Sequence, residues 1–138
     1  MDYAAVLMIK NRNDEILFGK RSPIKKDYPN CWALPSETSH ESESPEDCAK
    51  RGAKEELGVK IKIEKILKSH TYKRDSGRDI TIHIYLCSIE FGEPKNLAPE
   101  EITELKWQKL DEFYKQHSDQ EIAKGLQELR KNYKELNI

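Results

Sequence analysis

Residues 51–59 read RGAKEELGV. On a helix, residues three and four apart are neighbours, so positions 52, 55 and 56 share a face and Glu55 and Glu56 aim their oxygens at nearly the same place. Two close carboxylates repel each other unless a cation joins them. Oxygen-only ligation of this kind suits Mg²⁺ or Mn²⁺. Such an ion bridges phosphate oxygens, orients a water and lowers its pKa. The plainer reading is a solvated acidic face near a helix end, with Arg51 and Glu55 an ordinary pair one turn apart. These residues alone leave both readings open.

The elements around this segment are legible. Ser44 is a good N-cap, Pro45 suits the first helical position, Glu46 and Asp47 favour the positive end of the dipole, and Gly58 suits the position just past the end. The spacing therefore predicts a helix over 45–57, with Ala49, Ala53 and Leu57 on its packed face. Residues 3–10 form an apolar run ended by NRND, and 15–21 read as the returning strand of a hairpin. CWALP is a short strand stopped by Pro35. IKIEKILKSHTY reads as a strand, and ITIHIYLCSIEF is another that places Ile80, Ile82, Ile84 and Leu86 on one face. TELKWQKL is a further short strand. Ser118 with Glu121 makes a capping box for a last helix whose buried stripe is Ile122, Leu126, Leu129 and Tyr133. Strands before, between and after two helices imply an α/β fold with a mixed sheet covered on both faces.

The chain has 138 residues, which suits one domain with a true core over 1–138. Charged residues make up 36% but the formal net charge is −1, which argues against a general nucleic-acid or anionic-membrane binder. Three cysteines, Cys31, Cys48 and Cys87, stand far apart with no CxxC. This usage suits a reducing, cytoplasmic setting. The apolar start is too short for a membrane span and lacks a basic leader pattern.

The segment from Leu34 to Val59 resembles the signature box of the Nudix hydrolases. That box is a Gly, five residues, a Glu, seven residues, then Arg-Glu-apolar-any-Glu-Glu-any-Gly-apolar. Glu43, Arg51, Ala53, Glu55, Glu56, Gly58 and Val59 fall in register, with Trp32, Leu34 and Pro35 similar to the usual lead-in. The opening AAVLMIKNRNDEILFGKRS and the later RDITIHIYLCSIEFGEP and ELKWQKLDEF resemble MutT-type members, so the likeness covers most of the chain. It implies a Nudix α/β/α sandwich, a mixed sheet between helices, and Mg²⁺- or Mn²⁺-dependent hydrolysis of a nucleoside di- or triphosphate or another diphosphate-linked small molecule. By position it implies Glu55 and Glu56 as metal ligands, Glu43 supporting Arg51, Arg51 orienting the catalytic carboxylate, and Glu101 as a further ligand or base, with Glu104 a nearby substitute. The catalytic set is then Arg51, Glu55 and Glu101.

The resemblance has two departures. Ser36 and Glu37 stand where the box has a Gly pair, leaving the backbone carbonyl of Glu37 as a candidate ligand, and Ser42 also replaces a usual Gly. Gly52 stands where the family has the Glu that ligates metal and helps activate water. A helix-interior Gly costs roughly 0.5–1 kcal/mol relative to Ala. General-base catalysis is worth about 10²–10⁴-fold, or roughly 3–5 kcal/mol of barrier. An impaired Nudix domain that binds a nucleotide or diphosphate without turnover is therefore the second reading. A third is an isopentenyl-diphosphate-isomerase-like protein, which needs a catalytic cysteine after the Trp and a histidine metal cluster. Here Cys31 precedes Trp32, and His40, His70, His83 and His117 are scattered.

Arg21, Lys25, Lys26, Lys73, Arg74 and Arg78 are candidate phosphate contacts, or plain surface charge. Trp32 or Tyr85 would stack on a base. In MutT-type members a polar residue just before the last helix reads the purine, and Ser118 or Asp119 occupies that region.

Overall fold

The computed structural model describes residues 2–40 and 42–138. Its strands are β1 (Asp2–Ile9), β2 (Glu15–Arg21), β3 (Trp32–Ala33), β4 (Ser36–Thr38), β5 (Lys60–Lys73), β6 (Asp79–Phe91) and β7 (Ile102–Lys109). Its helices are α1 (Pro45–Leu57), α2 (Leu110–Gln116) and α3 (Lys124–Arg130). The strands form a mixed four-stranded sheet, ordered β4-β1-β6-β5 with β1 parallel to β6, and a three-stranded antiparallel sheet, β3-β2-β7.

Alternation along β1 builds two cores, because successive side chains of a strand point to opposite faces. Ala5, Leu7 and Ile9 pack with Cys48, Ala49, Ala53 and Leu57 of α1. Ala4, Val6 and Met8 pack with Ile80, Ile82, Ile84 and Leu86 of β6 and with Phe113, Leu126 and Leu129 from α2 and α3. The sheet layer is thus covered on both faces. Phe18 of β2 stacks on Phe113 of α2 with ring centroids 3.9 Å apart, tying the smaller sheet to that layer.

Three expectations change. β1 and β2 do not form a hairpin ladder: only a single Lys10–Ile16 bridge joins them, because each strand enters a different sheet. A further helix forms at Leu110–Gln116, where Leu110, Phe113 and Tyr114 recur at helical spacing and are buried. The last helix is not continuous from Ser118. Its capping box is formed, with the Ser118 N–H donating to Glu121 Oε1 at 2.9 Å, but it caps a single 3₁₀ turn, Asp119–Glu121. Ile122 then makes a parallel bridge with Trp32, and the Ala123 N–H donates to the Trp32 carbonyl at 2.9 Å. That tertiary bond outcompetes helical continuation. The stripe nevertheless lands inside at Ile122, Leu126 and Leu129.

Candidate active site

Helix α1 carries the box residues and is terminated as its sequence requires. Ser44 Oγ accepts from the Asp47 N–H at 3.1 Å. Gly58 adopts φ +70°, and the N–H groups of Gly58 and Val59 donate to the Lys54 and Ala53 carbonyls. Beyond the caps, Arg51 organises the site. Its Nε and Nη2 donate to the two oxygens of Glu43 at 2.8 and 3.0 Å, a bidentate fork. Nη2 also donates to the Thr38 carbonyl at 3.0 Å, and Nη1 donates to Glu55 Oε2 at 3.2 Å. Glu37 Oε2 lies 3.5 Å from Nη1. The hydrogen bonds that Glu43 accepts from Arg51 hold its carboxyl down at about 2, and the same bonds raise the guanidinium pKa.

Glu55 and Glu56 do not share one environment. Glu55 is turned toward Arg51 and exposed. Glu56 points into a cleft of about 450 Å³, whose lining includes Glu37, Glu56, Glu101, Arg21, Lys25 and Lys26. Burial first, then the charges of Glu37 and Glu101, lift the Glu56 carboxyl to about 8, against the opposing charge of Lys25. The rim is set by two joined loops: the Ser22 N–H donates to the Glu101 carbonyl at 2.9 Å, and Lys25 Nζ donates to Glu101 Oε1 at 3.1 Å.

The Nudix-domain sequence profile matches residues 1–129. The chain belongs to the Nudix family. It is 29% identical to a prenyl-diphosphate phosphatase of Methanosarcina mazei over 81% of its length, and 32% identical to an isopentenyl-diphosphate Δ-isomerase of Dinoroseobacter shibae over 80%. The chain spans 66% of the length of each of these relatives. A MutT Nudix hydrolase from Burkholderia pseudomallei superposes with a TM-score of 0.71 at 26% identity, covering 79% of this chain and 83% of that one.

Within this Nudix domain the remaining expected residues separate. Glu101 lines the cleft, whereas Glu104 lies on β7 opposite Lys20 and does not. Arg21, Lys25 and Lys26 line it, but Arg78 sits in the β5–β6 turn and reaches Asp2, which Arg74 also pairs. Trp32 is not placed to stack on a base: it is 8% exposed and lies under Lys106 Nζ, 4.2 Å from the ring centroid. Tyr85 is also buried, on the α1 side. Ser118 is spent on its turn and Asp119 on Arg130, away from the cleft lining. The Glu37 carbonyl accepts from Cys48 Sγ at 3.3 Å, so the backbone atom expected to serve as a ligand faces the helix. Cys31 is buried, donates to the Gln120 carbonyl at 3.6 Å and does not line the cleft.

Among the described residues, no three Asp, Glu, His or Cys side chains are gathered into a ready metal cage. The cleft lining nevertheless brings the carboxylates of Glu37, Glu56 and Glu101 to one place, the oxygen chemistry that hard divalent ions take. The space over Gly52 that a Cβ would fill is held by one of them, Glu37.

Proposed function

We propose that this Nudix domain hydrolyses a diphosphate-linked small molecule with the help of a divalent ion. The observation that carries this is the mixed lining of one cleft, Glu37, Glu56 and Glu101 together with Arg21, Lys25 and Lys26. Carboxylates alone repel a diphosphate, and lysines alone give it no water-activating partner. Glu37, Glu56 and Glu101, which line the cleft, are the residues that would hold Mg²⁺ or Mn²⁺, with Glu55 beside them on Arg51 as the further expected ligand. When bound, the ion supplies charge at the phosphate oxygens and lowers the pKa of a nearby water. Arg51 keeps Glu55 and Glu37 oriented, and Glu43 fixes Arg51 in turn. Lys25 and Lys26 face the phosphate charge. The reaction adds water across a P–O bond of the diphosphate: the water oxygen bonds to phosphorus, the bridging oxygen leaves with the departing group, and one water proton passes to a cleft carboxylate.

The rest of the cleft favours an aliphatic substituent over a nucleobase. Its apolar lining is Ile24, Ala33, Leu34, Pro35 and Ile102, with no aromatic ring. Such a wall excludes water from an alkyl chain but offers no plate for base stacking. A prenyl-type diphosphate fits this lining, consistent with the likeness to a prenyl-diphosphate phosphatase. A second reading, binding without turnover, is favoured by Gly52, which leaves α1 without a carboxylate at that position.

Phosphate and pyrophosphate release is measured from short prenyl diphosphates, nucleoside triphosphates and nucleotide sugars, with Mg²⁺ or Mn²⁺ and with EDTA. The expected result is release from a prenyl diphosphate that EDTA abolishes, with nucleotides slower. Faster release from nucleotides overturns the aliphatic preference. No release from any member, with metal-dependent binding retained, overturns the enzyme reading in favour of the binding module.

A further inference from the structure

We infer that Glu37 and Gly52 form an exchanged pair, in which the carboxylate that α1 lacks at position 52 is delivered from β4 by the side chain of Glu37, as a ligand for the cleft cation. The inference rests on the reading that this cleft takes a divalent ion. It begins with space. A Cβ built on Gly52 would stand 2.7 Å from the Cβ of Glu37 and 3.2 Å from its Cγ. Neither atom can easily retreat. Glu37 lies opposite Ala5 in the antiparallel β1–β4 ladder, and Gly52 lies in the interior of a helix packed on that sheet. Side chains cannot occupy both positions at once, so a glycine at one is the condition for a side chain at the other.

Direction is the second part. The Glu37 carbonyl is turned to Cys48, so the side chain is what this residue offers the cleft. Its Oε2 lies 3.8 Å from the Cβ position of residue 52 and 3.5 Å from Arg51 Nη1, while Oε1 accepts from the Thr38 N–H at 3.1 Å. The carboxylate is therefore oriented by one hydrogen bond, from the Thr38 N–H, and one ion pair, with Arg51, and stands over the helix where position 52 would have projected. Pro35 makes the placement possible. The chain leaves the three-stranded sheet after Ala33 and joins the other at Ser36, and the Pro35 carbonyl accepts from the Leu7 N–H at 2.8 Å. The helix-interior glycine, a liability for α1 alone, is the room that Glu37 needs.

Mn²⁺ binding is measured by calorimetry and by the loss of the free-ion electron paramagnetic resonance signal, with thermal unfolding of the same samples. Glu37→Gln keeps the packing over Gly52 and removes the charge. It is expected to weaken Mn²⁺ by at least about tenfold, as loss of a ligand or of its immediate support does, with little change in Tm. Gly52→Glu alone is expected to lower Tm, because two side chains then meet at one place. Glu37→Gly combined with Gly52→Glu returns the carboxylate to the helix and is expected to recover both Tm and Mn²⁺ affinity to within a few-fold of the native chain, an outcome far from additive. Undiminished Mn²⁺ binding in Glu37→Gln overturns the inference and leaves the metal reading standing. No Mn²⁺ binding by the native chain overturns both. Additive single-variant effects in the double variant overturn the exchange, and if that variant does not fold, Glu37→Gln alone decides.

Discussion

At the residue scale the site turns on Arg51, whose fork engages Glu43 with two donors and leaves Nη1 for Glu55 and Glu37. A lysine keeps the charge but has no planar fork and cannot serve these partners together. Arg51→Lys is expected to slow hydrolysis by roughly 10–100-fold through misplaced carboxylates, with a smaller effect on KM. Steady-state kinetics on the best substrate of the panel checks this, and a KM effect with unchanged kcat would count against an orienting role. Arg51 has much to orient despite Gly52, because the neighbours it holds come from the loop, from β4 and from one turn further along α1.

At the element scale, α1 is a helix whose two ends are specified by single residues. Ser44 caps the start, and Gly58 ends it in the left-handed region, where a Cβ is disfavoured and would also meet Leu97 Cδ1 at 3.2 Å. Gly58→Ala is expected to destabilise the fold by about 1 kcal/mol, read as a lower denaturation midpoint with an unchanged slope. Glu56 lies two residues before this cap, so the same substitution is expected to lower Mn²⁺ affinity somewhat as the last turn loosens. The other end of the box shows the opposite economy. Ser42 adopts φ +67° without being glycine, a conformation that costs an L-residue energy and marks the position where the resemblance places a usual Gly.

At the scale of the whole molecule, the buried carboxylate makes stability depend on pH. Glu56 has an ordinary carboxyl value of 4.5 when unfolded and about 8 when folded, chiefly through burial and then through Glu37 and Glu101. Folding therefore favours its protonated form. This contribution is fully present below about pH 4.5 and fades as pH rises through about 8. Glu43 runs the other way: its folded value of about 2 gives stability present above 4.5 and lost as pH falls toward 2. In EDTA, Tm is expected to decline between pH 5 and 8.5 in the native chain. Glu56→Gln is expected to flatten that decline, and calorimetry of the two proteins across the range checks it. An equal slope in both would place the titration elsewhere.

Features that lie within a few residues of one another, or follow a simple period, are legible in the chain alone. The caps of α1, the two faces of β1 and β6, the Glu43–Arg51–Glu55 register and the family are all local patterns, and local patterns survive without knowledge of what packs on them. Contacts between elements are settled by packing instead, because separation in sequence says nothing about separation in space. Glu101 rather than Glu104 meets the cleft because the two loops are joined at Ser22. Trp32 and Tyr85 are withdrawn from stacking because both are spent on the cores. The last helix breaks where Ile122 finds Trp32. Read in sequence, Glu37 and Gly52 are two separate departures from a motif. In space they are one arrangement, because Pro35 hands the chain to a strand whose side chain needs the volume that a glycine on α1 leaves open.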